Sequence, residues 1–310
     1  MASLAANEMQ SGQGWQGAED VWDTNAIDFT SKMWQLSDVE HGQFLELRNS
    51  IKDVKHWKNQ PMEVVRFLRA RPGNVKAAES MFRKMINWRK ENDVENILES
   101  YTPPQVLLEL YPGAMLEGCD KEGDPIYLER LGVTDGPGLI AKVGASEMIR
   151  HGIWLREMIS KGQWVQDYEK ANGKPVKRIT IIEDLQGLSR RMLFGGTVGV
   201  YNELMRLDQD NYCESAKRMI IIRAPWIFTA VWSIVKYFFD PGVVKKMVFT
   251  SGDGEELLKE LDEYVDRTVL PPCISAVEGK GKPHIGMPTN FNGGLVPAPV
   301  LPVVDDAQKN

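Results

Sequence analysis

The chain has 310 residues, 43% of them hydrophobic, about two domains' worth at roughly 150 residues each and enough for a sizeable core without disulfide support. Lys plus Arg number 37 against 43 for Asp plus Glu, a formal charge of −6 that excludes a bulk electrostatic nucleic-acid binder and restricts any anion site to a local basic cluster. Cys119, Cys213 and Cys273 stand far apart with no Cys-x-x-Cys pair, which argues against a disulfide framework or zinc ribbon and for a reducing, intracellular setting.

Residues 1–30 lack the basic and apolar regions of a secretory signal and read as a flexible N-terminal tail. Residues 31–100 are patterned as a small helical module. Ser37 is a candidate N-cap, Phe44, Leu47 and Ile51 recur at helix spacing, and Pro61 can open a second helix with Val64, Val65 and Leu68 on one face. Pro72-Gly73 stops it, and Asn74 can cap a third in which Ala78, Met81, Phe82, Met85 and Trp88 keep a 3.6 period. After Thr102-Pro103-Pro104 short apolar runs alternate with longer helical ones, the pattern of an α/β domain with a mostly parallel sheet. Strands are predicted near residues 126–131, 179–185, 219–223 and 247–250, and helices over 145–159, 196–208, 227–239 and 255–265. The continuous apolar character of the second and third strands fits strands buried on both faces. From residue 279 to 310 the chain is rich in Pro and Gly and reads as a second flexible tail. No segment has the roughly 18 apolar residues that span a bilayer. Pro225–Phe239 comes closest, with Lys236 its only charge.

Catalytic patterns are near misses. Ser146 and Ser189 each follow a glycine by two residues but lack the closing glycine of a nucleophile elbow. Gly195, Gly196 and Gly199 do not keep dinucleotide-loop spacing and read as close helix packing. His41, His56, His151 and His284 are scattered, with hydrogen-bonded or solvated rings the default reading. Glu183-Asp184 at a strand end offers an acid and a base, with turn capping or salt bridging the favoured reading. No catalytic residue, metal or cofactor is expected.

Several motifs occur in order. Arg66-Phe-Leu-Arg-Ala-Arg71 is followed by a helix carrying Trp88-Arg-Lys, then by Asp184-Leu-Gln-Gly187, Ile220-Ile-Ile-Arg-Ala-Pro225, Phe239-Asp-Pro241 and Leu270-Pro271. This set resembles the CRAL-TRIO lipid-binding family over roughly residues 45–275, nearest the yeast-type phosphatidylinositol/phosphatidylcholine transfer branch. The resemblance implies a helical N-terminal module over 31–100 and a lipid-binding domain over 103–278. In that domain a sheet floors an apolar cavity closed by a gate helix, and the protein is cytoplasmic, with one lipid molecule and a transient membrane surface as partners and no nucleic acid. Cys273-Ile274-Ser275 departs from the family's usual Phe-Gly-Gly continuation.

By residue, the resemblance implies a headgroup site at Arg71, Glu214 and Lys246, although Pro72 and Val243 replace a basic residue and a threonine. Ile179, Ile181 and Ile222 are expected to line the cavity; Ile179 and Ile181 stand where hydroxyl residues contact phosphatidylcholine. Trp226, Phe228, Val231, Trp232, Val235, Phe238 and Phe239 form the expected gate, with Lys245 and Lys246 docking beside it. Lys174, Lys177 and Arg178 read as solvated. The apolar substitutions favour a tocopherol-, isoprenoid- or sterol-like ligand, the retained charges a phospholipid such as phosphatidylinositol. A module that presents lipid without transferring it is a further alternative.

Overall fold

A computed structural model describes residues 23–250, 252–275, 281–282, 291 and 293–297. They divide into two compact units, one of residues 23–95 with Asp210–Ser215, the other of Asn96–Gln209 with the residues from Ala216 onward.

The first unit is helical, as its sequence predicts. It comprises α1 (Thr24–Trp34), α2 (Asp38–Ser50), α3 (Pro61–Ala70) and α4 (Val75–Glu91). Ser37 and Glu40 close a capping box on α2, Pro61 occupies the first turn of α3, and the Asn74 side chain accepts from the Ala77 amide at 3.0 Å. Helix α1 starts inside the segment 1–30 expected to be a flexible tail. Asp23 caps it by accepting from the Ala26 amide at 2.5 Å, and Ile27, Thr30 and Trp34 are buried. Phe44, Leu47, Val64, Val65, Leu68 and Phe82 make the core, where Phe67 meets Phe82 edge-on at 5.1 Å.

The second unit is built on a five-stranded sheet: β1 (Gly113–Cys119), β2 (Pro125–Glu129), β3 (Ile179–Asp184), β4 (Ala216–Ile222) and β5 (Met247–Phe249), in that spatial order. β1 runs antiparallel to β2 and the other pairs are parallel, so the sheet is mostly parallel, as expected. Its helices are α5 (Ile97–Ser100), α6 (Gln105–Leu110), α7 (Gly136–Val143), α8 (Ala145–Lys161), α9 (Gln163–Asn172), α10 (Thr197–Asn211, whose last two residues group with the first unit), α11 (Phe228–Val235), α12 (Pro241–Val244), α13 (Gly254–Leu261) and α14 (Pro272–Ser275). Strand β1 has no counterpart in the sequence reading. Gly113 and Gly118 weaken its strand character, yet Gly113 is required, since a Cβ there would lie 2.2 Å from the Tyr127 hydroxyl.

The segment 279–310, read as a flexible tail, is partly tied down. The Lys282 carbonyl accepts from Glu117, the Phe291 carbonyl accepts from Arg130 at 2.8 Å, Gly294 bridges Thr134, and the Val296 amide donates to Asp135 at 2.9 Å. No helix of the described residues is long and apolar enough to cross a membrane.

Candidate functional site

Strand register sorts the sheet into two unlike faces. On one, Leu128, Ile182 and Ile220 lie in line across β2, β3 and β4, and Ile222 lies further along β4; all four are fully buried against Leu257, Leu258 and Leu261 of α13. On the other, Tyr127, Ile181, Met219 and Met247 form one row and Glu129, Glu183, Ile221 and Phe249 the next. Ile181, Met219 and Ile221 of this second face share a cluster with Phe228 and Val243. Of the residues expected to line a cavity, Ile181 lies on this second face and Ile179 two residues earlier on the same side of β3. Ile222 lies on the other face, packed in the cluster under α13, while its neighbour Ile221 shares the second face with Met219.

The second face carries two acids. Glu129 and Glu183 are cross-strand partners, and the Tyr111 hydroxyl donates to Glu129 at 2.6 Å. Burial, then the nearby carboxylates of Glu129 and Asp208, push Glu183 up to about 8, so it is largely protonated at neutral pH. Burial also raises Glu129, opposed by the Tyr111 hydrogen bond. Glu183, Glu129 and Tyr201 are half-buried, and burial is the largest cause of the raised pKa of each. Beside them the buried His151 ring stacks on Trp154 at 5.3 Å and meets Tyr111 edge-on at 5.5 Å, with no hydrogen-bond partner on either nitrogen. Its pKa drops to about 4, through burial and then Arg156. His151 thus departs from the solvated or hydrogen-bonded default, and Glu183 from the capping or salt-bridging role.

Asp184, one residue on, takes that role. It points to the opposite face, is fully buried, and pairs with Arg223 at 2.5 Å and Arg130 at 3.3 Å while capping the Gln186 amide at 3.0 Å. Gly187 follows at φ +90°, a conformation that favours glycine. Gly195 and Gly196 likewise take φ of +61° and +80° in the turn before α10; Gly195 also shows the close helix packing expected of it, since a Cβ there would lie 2.8 Å from Pro137 of α7, whereas Gly196 and Gly199 face open space.

The expected gate is α11 followed by a 3₁₀ turn at Lys236–Phe238. Phe228 and Trp232 stack at 5.9 Å, Phe249 lies 5.3 Å from Trp232, and the buried Phe239 lies 5.8 Å from it. Thr229, Ser233 and Lys236 form an exposed stripe. Trp226 precedes the helix and is 78% exposed. The side chains of Val231, Val235 and Phe238 lie outside the described ones.

The headgroup residues fall in different units. In the first, Arg71 ends α3 and donates to its neighbour's carbonyl on Ala70 at 2.7 Å. Glu214, at φ +57°, lines a cleft of about 290 Å³ with Glu40, Leu68, Arg69 and Pro72. The arginine lining that cleft is Arg69, which donates to Glu40 at 3.2 Å and to the Trp34 carbonyl at 2.8 Å. In the second unit Lys246 is half-buried, its carbonyl accepting from Met219 at 2.9 Å, and Lys245 is exposed. Lys174 is engaged by Asp124 at 3.6 Å, in keeping with a surface role.

A profile of the CRAL/TRIO domain matches residues 112–274, from the residue before β1 into α14. The chain belongs to the CRAL/TRIO family. Among CRAL/TRIO relatives it is 32% identical over 274 residues to Protein real-time of Drosophila pseudoobscura pseudoobscura, covering 87% of this chain and 39% of that protein. Protein real-time of Aedes aegypti is 31% identical over 255 residues, covering 80% and 39%. A CRAL-TRIO domain-containing protein of Caenorhabditis elegans is 27% identical over 277 residues, covering 88% and 38%. The chain thus spans about two-fifths of the length of these relatives. Among solved structures, Sfh5 aligns with 60% of this chain and 66% of that one at 17% identity and a TM-score of 0.47. A CRAL/TRIO domain implies lipid binding or transfer in general terms.

Proposed function

We propose that the second unit encloses the acyl chains of one phospholipid, of the phosphatidylinositol class, between the Ile181 face of the sheet and α11, and carries it through the cytoplasm between membranes without chemical change. The observation that carries this reading is the pairing of an internal sheet face that includes Ile181, Met219 and Ile221 with an aromatic helix whose polar stripe is only Thr229, Ser233 and Lys236. Burying one CH₂ is worth about 0.8 kcal/mol, so exposing an 18-carbon chain to water would cost on the order of 14 kcal/mol. A carrier therefore needs an element that is cavity wall in one state and bilayer-facing in another.

By resemblance to the yeast-type transfer branch, Lys246 of the second unit is the residue proposed for the inositol phosphate there, Arg71 and Glu214 being residues of the first unit. Phosphate does not suit the Glu129–Glu183 row, where a buried anion would face carboxyls. That row and the apolar Ile179 and Ile181 support a second reading, a hydroxyl-bearing apolar lipid. A vesicle-to-vesicle transfer assay tests the first: Lys246→Ala should lower phosphatidylinositol transfer with the fold intact, and unchanged transfer counts against the assigned residue. Binding without exchange by the unaltered chain would indicate a presenting module.

A further inference from the structure

Five of the nine large hydrophobic side chains most exposed among the described residues belong to α11 and its surroundings: Leu193 (38%), Phe194 (67%), Trp226 (78%), Tyr237 (79%) and Phe249 (45%). Leu193 and Phe194 are not part of the gate. They end the 3₁₀ turn Arg190–Leu193 between β3 and α10. Arg191 ties that turn to the scaffold through the buried Asp135 at 3.0 Å, and Asp135 also caps α7 through the Gly138 amide at 3.0 Å. Arg190, exposed, places its guanidinium 5.9 Å from the Trp226 ring. A fixed turn thus presents an apolar tip at Leu193 and Phe194, flanked by two arginines, next to the start of the gate.

We infer that the Arg190–Phe194 turn is a membrane anchor separate from the gate, inserting Leu193 and Phe194 into the interface of an anionic bilayer while Arg190 meets lipid phosphates. The inference rests on the lipid-carrier reading and names the surface that carrier uses. Charge complementarity selects the occupant: in a chain of net charge −6, a tip that sets exposed apolar side chains beside the exposed Arg190, with Arg191 already paired to Asp135, suits a negatively charged lipid surface. The tie to Asp135 holds the turn in place, so docking through it requires no movement of α11.

Co-sedimentation of the full chain with phosphatidylcholine vesicles, with and without phosphatidylserine, tests this, alongside the lipid content of each purified protein. The unaltered chain should prefer phosphatidylserine-containing vesicles. Leu193→Ala/Phe194→Ala should weaken binding to them roughly tenfold. Arg190→Ala should weaken it about fivefold and erase most of the preference for anionic vesicles. Both variants should retain co-purified lipid and the parent's thermal unfolding midpoint. Binding by the Leu193/Phe194 variant at the parent's affinity, or a parent with no preference between the vesicles, overturns the inference. Absence of lipid from every preparation would instead count against the carrier reading, whatever the vesicle result.

Discussion

Glu183→Gln is the sharpest perturbation of the internal face. Glu183 titrates near 4.5 in an unfolded chain and near 8 in the folded one, because burial and the adjacent Glu129 and Asp208 disfavour its anion. Between those values the unfolded chain has released a proton that the folded chain keeps, so stability falls as pH rises through the window and levels off above about 8. At about 1.36 kcal/mol per pH unit, the contribution lost across the window is on the order of 5 kcal/mol. Glutamine keeps the shape and hydrogen-bonding capacity and has no proton to lose. Urea unfolding of the lipid-loaded protein and the variant at roughly pH 5, 6.5 and 8 reads the difference directly, provided both keep the same m value. The variant should gain on the parent as pH rises and be the more stable by several kcal/mol near pH 8. Parallel profiles for the two proteins would refute a buried, proton-retaining Glu183.

Asp184→Ala should destabilise the second unit by about 3–5 kcal/mol, since it leaves the Arg223 and Arg130 guanidiniums without their shared buried carboxylate; urea unfolding measures it. His151 is held neutral, with its pKa lowered to about 4, so its contribution to stability is present above about 6.5 and lost as pH falls through 4. His151→Phe removes the protonation and should therefore resist acid unfolding better than the parent in a pH titration followed by circular dichroism. Lys246→Ala, as above, should reduce phosphatidylinositol transfer without shifting the unfolding midpoint.

The parallel strands were legible because β2, β3 and β4 are near-continuous apolar runs between helical segments, and the first three helices after residue 35 because their starts carry Ser37, Pro61 and Asn74. β1 escaped notice because its two glycines, one needed to clear Tyr127, erase the strand pattern. The same continuity that exposed β4 concealed its facing: in Ile220-Ile221-Ile222 nothing local says which isoleucine meets α13 and which the internal face, and Ile222 was misplaced on that account. Glu183 and Glu129 become a pair only through the register of β2 on β3, which joins residues far apart in the chain. Two adjacent acids closing the apolar run ITIIED were the available signal, and Asp184, with a plain structural role, obscured Glu183. Tyr111 and His151 gave no warning at all, because their meaning comes from α8 lying beside the end of α6.

The measurement that bears most directly on the account is mass spectrometry of the lipids extracted from the purified full chain. The account predicts a phospholipid in a near-equimolar amount, with phosphatidylinositol prominent. Recovery of neutral isoprenoids or sterols alone would contradict the phospholipid reading in favour of the apolar one. Recovery of no lipid from a folded preparation would contradict the carrier itself.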